Sequence, residues 1–275
     1  MRTLADKTAA FRALHERPGT FLIPNPWDAG SAKLLAYFGF EALATTSLGL
    51  ANMLGRADSA VSLDEILANC REIAAAIDLP VNADLEKCGA DEPDAAAQAI
   101  RRAAEAGMAG GSIEDATGDR SNPIYDFSLA VERVHAAAEM ARALPDPFVL
   151  TARAENFVQG RRDLDDTIRR LQAFEKAGAD VLYAPALWDL ALIRTVVSAV
   201  GKPVNVVMSS ADPSITVADL AAAGVKRISV GGALSRLAIA AVANAARAMR
   251  DQGSFTYMRT TMPSSEVKQM FLSAR

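Results

Sequence analysis

The chain has 275 residues, 51% apolar and 23% charged, which fits one large α/β barrel or two ordinary domains with a sizeable core. A formal net charge of −4, with Lys and Arg dispersed and no basic arm, gives no electrostatic case for a nucleic-acid or anionic-membrane partner. No stretch approaches the roughly 20 apolar residues of a membrane span, the opening MRTLADKTAAFRALHE lacks a signal-peptide core, and Cys70 and Cys88 form no CxxC pair, so a cytoplasmic, soluble protein is the expectation.

In chain order, short apolar runs predict strands over 21–24, 42–45, 80–84, 111–114, 148–153, 181–184, 204–207 and 227–230. Helical patterns alternate with them, such as SAKLLAYFGF, SLDEILANCREIAAAI, DAAAQAIRRAAEAG, FSLAVERVHAAAEMARAL, LDDTIRRLQAFEKAGAD and SITVADLAAAG. Several end in Ala-Gly, at Gly107, Gly178 and Gly224, which supplies the left-handed residue that stops a helix. Asp28, and Ser62 with Glu65, read as N-terminal caps; Asp126, Asp163 and Asp165 read as caps or first-turn acids. Eight such units imply a parallel sheet, and eight favours closure into a single (β/α)8 TIM-type barrel over an open sheet. No GxGxxG follows a strand, which argues against a dinucleotide fold. Residues 252–275 carry no strand signal; they read as a C-terminal helical extension, with a helix over 264–274, packed outside the barrel or on a neighbouring subunit.

The third strand, in PVNADLEKCGA, poses the chemical question, because it runs straight into Asn82, Asp84 and Glu86. Buried carboxylates are costly unless paired or bound to a cation. Barrel enzymes work at the C-terminal ends of their strands. There the chain delivers Asn25 and Trp27; Thr45, Thr46, Ser47 and Gly49, with Asp58 beyond; Asp84 and Glu86; Glu114 and Asp115; Arg153 and Glu155; Tyr183; Asn205; and Gly231 with Gly232. Acids crowded around one arginine, with no His or thiolate, suit a hard cation such as Mg²⁺, with Mn²⁺ as a substitute. Arg153 would grip a substrate carboxylate, and the turn over 46–49 would offer backbone N–H groups to another anionic oxygen. A small, multiply anionic 2-oxo or 2-hydroxy acid is the implied substrate. No lysine sits at a strand end as a Schiff base requires, apart from Lys87 in a loop, and His15 and His135 fall in helices away from this face.

These residues bring a family into view. The segments NPWDAGSAKLLAYFGFEALATTSLGLANMLGRAD, PVNADLE, GMAGGSIEDA, FVLTARAENF, GADVLYAPAL and PVNVVM resemble, in order, the isocitrate lyase / phosphoenolpyruvate mutase superfamily. The resemblance implies a (β/α)8 barrel whose last helix is swapped between subunits of a homodimer or homotetramer. It also implies Mg²⁺ and chemistry at a C–C or P–C bond beside a pyruvate enolate. By that likeness Asp84 anchors the metal, Asp58 and Glu114 hold metal-bound waters, Thr46, Ser47 and Leu48 bind the carboxylate and oxo group, Arg153 binds the carboxylate, and Asn205 lines the pocket.

The departures carry information too. The family often has Asp-x-Asp-Thr-Gly-Tyr-Gly on strand 3; here Asn82 stands at the first Asp, which weakens metal binding unless Glu86 compensates. The loop after strand 4 reads ATGDRSNPIYDF, without the Lys-Lys-Cys-Gly-His of the isocitrate and methylisocitrate lyases. Within it Asn122 echoes an element of the mutases and phosphonopyruvate hydrolases, which makes it a candidate catalytic residue in a loop, 117–125, expected to close over the site. The leading expectation is a Mg²⁺-dependent lyase that cleaves a C–C bond through a pyruvate-type enolate, by oxaloacetate decarboxylation or retro-aldol cleavage. A P–C bond mutase or hydrolase and a non-catalytic 2-oxo-acid binder are the rivals.

Overall fold

A computed structural model describes residues 2–209 and 212–273; Ala274, the end of the expected last helix, lies outside them. Helix α1 (Leu4–Glu16) begins at a Thr3–Asp6 capping box. Then follow β1 (Phe21–Ile23), α2 (Ala29–Tyr37), β2 (Leu43–Ala44), the short α3 (Ser47–Met53), α4 (Leu63–Ala76), β3 (Val81–Asp84), α5 (Pro93–Glu105) and β4 (Gly110–Glu114). The second half runs through α6 (Phe127–Ala143), β5 (Val149–Arg153), α7 (Leu164–Ala177), β6 (Val181–Tyr183), α8 (Leu190–Ala199), β7 (Val204–Val207), α9 (Val217–Ala222), β8 (Arg227–Ser229), α10 (Ala233–Gln252) and α11 (Ser264–Ser273).

All eight strands are parallel, in the order β1-β8-β7-β6-β5-β4-β3-β2. Ala44 N donates to Pro24 O and Asn25 Nδ2 to Thr45 O, which draws β2 to β1 and nearly closes the barrel. Asn25 Oδ1 also accepts from Val230 N and Gly231 N, so one amide side chain ties three strand ends at the mouth. The expected caps Asp28 and Ser62–Glu65 form capping boxes, and Asp163 caps α7; Asp126 stands at the N-cap of α6 without a side-chain bond.

The barrel interior is graded from bottom to top. Its lower part is apolar: Phe11 and Leu14 of α1 plug it against Phe21, Ile23, Ala42, Ala44, Val149 and Val181. Gly110 is required here, because a Cβ would lie 2.6 Å from Val149 O and 2.8 Å from Phe11. The upper part is polar and opens to the mouth. A second, larger apolar core lies between the strands and the surrounding helices, with Leu67, Ile73, Ile100, Leu171 and Phe174 buried within it.

Helix α10 breaks the pattern. Of its residues only Ser235 is buried, while Leu237, Ile239 and Val242 face outward. It stands off its own barrel, and α11 returns to pack against α2. No helix among the described residues is long and apolar enough to cross a membrane.

Candidate active site

The parallel register sets Glu114 of β4 beside Arg153 of β5, and Arg153 beside Tyr183 of β6. Arg153 fans out across the mouth. Its Nη1 donates to Asp84 Oδ1 at 2.9 Å and its Nε to Glu155 Oε1 at 2.7 Å, while Nη2 lies 3.1 Å from Glu114 Oε2. The Tyr183 ring lies beneath the guanidinium, 5.2 Å from centroid to Cζ. Asp84 is held from the other side: Ser47 N and Ser47 Oγ each donate to its Oδ2 at 3.0 Å. Ser47 can do so because Thr46 caps α3 and turns the first helical amides toward β3.

One cation faces five acids here: Asp58, Asp84, Glu86, Glu114 and Glu155. Burial pushes the Glu114 carboxyl well above its ordinary range; Arg153 opposes this, and Glu155 and Asp84 add to it. Glu86 is pushed up to about 7 by burial and then by the charge of Asp84. Asp58, at the exposed rim, is raised by desolvation and by Asp84. For Arg153, burial alone would lower the pKa, but Glu114, Glu155 and Asp84 outweigh it and hold the guanidinium well above its usual value.

This excess of negative oxygen is the signature of a hard-cation site. No three His, Cys, Asp or Glu side chains among the described residues converge closely enough to hold an ion by themselves. Carboxylates in excess of one guanidinium suit a hard cation that takes one or two of them and keeps waters, as Mg²⁺ does. Asp84 is the central carboxylate; Asp58, Glu86 and Glu114 each feel its charge.

A second layer braces the first. Glu155 N donates to Asp115 Oδ1 at 2.7 Å, and Asp115 Oδ2 accepts from Arg170 Nη1 at 3.0 Å. Arg170 also donates to Tyr125 O and to Asp166. Asp115 is thus a brace for the strand ends rather than a ligand. The loop after β3 is clamped separately: the buried Arg133 donates to the carbonyls of Lys87, Ala90 and Asp91. That clamp holds Glu86 at φ 50° and Cys88 at φ 63°, conformations that side chains other than Gly adopt only under constraint.

Below the mouth lies a cavity of about 780 Å³. One wall carries Thr46, Ser47, Asp58, Asp84 and Arg153. The loops after β5 and β6 and the start of α7 line the cavity mainly with apolar side chains, Phe157, Val158, Leu164, Leu187 and Trp188, with Arg162 and Asp189 among them. The floor is polar, with Asn82, Ser112, Asn205, Ser229 and Arg227.

This arrangement of barrel, acidic mouth and single strand-end arginine has counterparts among known proteins. The family model of phosphoenolpyruvate phosphomutase matches residues 11–250. The chain belongs to that family, within the isocitrate lyase/PEP mutase superfamily. A crystal structure of a provisionally assigned lyase/mutase from Burkholderia cenocepacia J2315 superposes with a TM-score of 0.96 at 54% identity, covering 98% of this chain and 97% of that one. The 2-methylisocitrate lyase of Escherichia coli (strain K12) is 31% identical over 227 residues, 78% of this chain and 75% of the enzyme. An uncharacterised protein of Mycobacterium tuberculosis (strain ATCC 25618 / H37Rv) is 30% identical over 243 residues, 88% and 89% of the two chains. Characterised members of the superfamily are lyases and mutases.

The superfamily residues expected from the sequence can now be placed. Asp84, Glu114, Arg153 and Ser47 meet directly; Thr46 accepts from Gly49 N, and Leu48 packs against Gly232, where a Cβ would lie 2.5 Å from it. Asp58 lines the rim. Asn205 lies at the floor, donating to Ser229 Oγ and accepting from Arg227 Nε. Asn122 is not brought to the site. Its loop folds back on itself through the Ala116–Ile124 bridge and the Thr117 N to Pro123 O bond, which leaves Asn122 exposed.

Asn82 lies on the cavity floor below the acids, and the residue that shares the field of Asp84 and Asp58 is Glu86. Cys88 is buried, its thiol pushed up to about 12 by burial, so it is inert packing. Lys87 is bound to Asp91 and to Thr117 O as a loop tie. Sequence reasoning missed Arg227 altogether. Its parity with Ser229 on a strand whose middle residue, Ile228, faces the helices is the signal that could have found it.

Proposed function

We propose that the protein is a cytoplasmic, Mg²⁺-dependent lyase that cleaves a C–C bond in a small 2-oxo or 2-hydroxy carboxylic acid, by decarboxylation of the oxaloacetate type or by retro-aldol release of pyruvate. The observation that carries this reading is the over-supply of carboxylates around Asp84 and Arg153 at the mouth of a cavity with one charged and one mainly apolar wall.

Asp84 would hold the ion, with Asp58, Glu86 and Glu114 taking its waters. Bound there, the ion would supply Lewis-acid polarisation of the substrate's oxo group and stabilise negative charge as the bond breaks. The chain's own groups do the rest. With Asp84 and Glu114 neutralised, Arg153 is free to turn one face to a substrate carboxylate. The Leu48 N–H, in the first turn of α3, has no acceptor within the helix, and Leu48 lines the same cavity. In a 2-oxo acid the electron pair of the broken C–C bond stays on the carbon beside the oxo group, which must then be protonated. In a 2-hydroxy acid the hydroxyl gives up its proton as its carbon becomes the oxo group of pyruvate, and the pair stays on the departing fragment, which is protonated instead. The apolar wall shields the breaking bond from water.

The phosphomutase name of the matching family favours a second reading, chemistry at a P–C bond. Against it, a transferring phosphoryl group calls for clustered cationic donors, and the loops after β5 and β6 bring one arginine, Arg162, together with an acid, Asp189, among apolar side chains. We also propose that α10, standing off its own barrel with an outward apolar face, packs on a second copy in a homodimer or homotetramer.

A single panel tests the function. The protein is incubated with Mg²⁺ and oxaloacetate, substituted malates, methylisocitrate or phosphonopyruvate, and pyruvate and phosphate are followed. Pyruvate without phosphate is expected. Phosphate release, or a rearranged phosphonate seen by phosphorus NMR, would move the assignment to the P–C enzymes. Saturable binding without turnover would make the protein a binder.

A further inference from the structure

The two arginines of the cavity differ in one respect that matters to a ligand. Arg153 has spent its charge on three carboxylates. Arg227 is 3% exposed and meets none: its Nε donates to Asn205 Oδ1 at 2.8 Å, its Nη2 to Thr151 Oγ1 at 2.9 Å, and its Nη1 lies 3.3 Å from His15 Nε2. All three partners are neutral, since burial and the adjacent Arg227 hold the His15 pKa down near 3. A guanidinium carries five N–H donors, so two remain. A buried ion without a counter-ion is costly, and removing it from water is offset only by a partner of opposite charge. No carboxylate exerts a resolved pull on Arg227, whose pKa burial lowers to about 9, opposed only by the Tyr183 phenol.

The cavity reaches this residue. Asn82, on the same floor and 4% exposed, has an Oδ1 with no hydrogen-bond partner. An unspent cation and an unpartnered acceptor, both buried and both lining one cavity, describe a place made for a polar group that arrives with the substrate. The spacing suits a particular shape. Thr151, which holds Nη2, precedes Arg153 by two residues on β5, and two residues span roughly 7 Å along a strand. That is one inward-facing layer, spanned by a four- or five-carbon diacid.

We propose that Arg227 is a binding residue for the far carboxylate of the substrate, which makes the cavity a dicarboxylate site with one acid group at the mouth and the other on the floor. This rests on the proposed lyase reading for the identity of the cavity. Asn82 Oδ1 accepts a hydroxyl or carboxylic proton beside that group.

Calorimetric titration with length-matched probes tests it, with Mg²⁺ present. The wild type is expected to bind 2-oxoglutarate at least tenfold more tightly than 2-oxovalerate, which lacks the second carboxylate. Arg227→Met is expected to abolish that preference while changing the affinity for 2-oxovalerate less than twofold. Asn205→Asp serves as the second variant: it keeps the guanidinium but sets a carboxylate against Nε, and it too is expected to erase the preference, with a melting curve to confirm the fold. No preference in the wild type, or a preference that survives either folded variant, would overturn the proposal. Pyruvate release from the substrate panel is scored separately. Turnover without the tenfold preference sinks this assignment and spares the lyase; the preference without turnover does the reverse.

Discussion

Arg153 and Arg227 lie one barrel layer apart, both largely withdrawn from water, and the chain treats them in opposite ways. Around Arg153 three carboxylates more than cancel the charge, and two further acids stand close by. Around Arg227 only neutral groups gather. The difference shows what each charge is for. At the mouth the arginine is the counter-ion that lets acids crowd together before any divalent ion arrives, and it gives ground when one does. On the floor the charge is held in reserve by an amide, a hydroxyl and a neutral imidazole, which orient it without neutralising it.

The largest test of this contrast removes the acid at its centre. Asp84→Ala should cut pyruvate release by roughly 10³-fold or more, because the other acids reach the ion through water and cannot replace a direct ligand. The fold should survive, since Arg153 keeps Glu114 and Glu155. Retained turnover would refute the metal assignment. Arg153→Met comes next. Stripping the counter-ion leaves Asp84, Glu114 and Glu155 unbalanced, and breaking such a buried pair costs about 3–5 kcal/mol. The loss should depend on pH in a stated direction. A carboxyl whose folded pKa lies above its unfolded value binds more protons when folded, so stability falls as pH rises. Denaturant unfolding of the variant should therefore show a larger deficit at pH 8 than at pH 6.5, and added Mg²⁺ should recover part of it.

These outcomes also mark how far the sequence could be read. Asp84, Glu114 and Arg153 were legible because strand-end position in a parallel barrel is a strong geometric constraint, and Gly107, Gly178 and Gly224 punctuated the helices that define the strands. The ion-pair fan was not legible, because side-chain direction depends on register and stagger between strands, which no single strand encodes. Glu86 was undervalued for a related reason: its place in the cluster depends on a left-handed φ that Arg133, 47 residues on, imposes by bonding the loop's carbonyls. The placement of Asn122 was not legible, because a short local pattern says nothing about whether its loop folds onto the site or onto itself. The swapped last helix remained an expectation; α10 shows in its unburied face why the single chain leaves it without a seat.

Arg227→Met should be milder than Arg153→Met, about 1–3 kcal/mol, because the groups it abandons are neutral. It should also be flat between pH 6.5 and 8, since the residue stays charged in both states below its folded pKa of about 9. A cost equal to that of Arg153→Met, with the same pH slope, would break the distinction between the two arginines.

The finest test concerns the neighbour that keeps Arg227 in reserve. His15 donates from Nδ1 to Phe11 O at 2.8 Å, leaving Nε2 as an acceptor for Arg227, and its ring is packed edge-on between Phe11 and Phe21. Protonation would set two cations side by side with no acid near, so the folded pKa is near 3 against an ordinary 6.5, through burial first and Arg227 second. Between those values the unfolded chain takes up a proton that the folded chain refuses. Stability from this site is complete above pH 6.5 and drains away as pH falls toward 3. His15→Phe keeps the packing and removes the titration. At pH 7.5 it should cost about 1 kcal/mol, the worth of the lost hydrogen bonds. At pH 4.5 the order should reverse, with the variant the more stable, as read by urea unfolding at the two pH values. An unchanged difference would mean that His15 titrates as it does in water, and that the floor of the barrel does not hold an uncompensated charge.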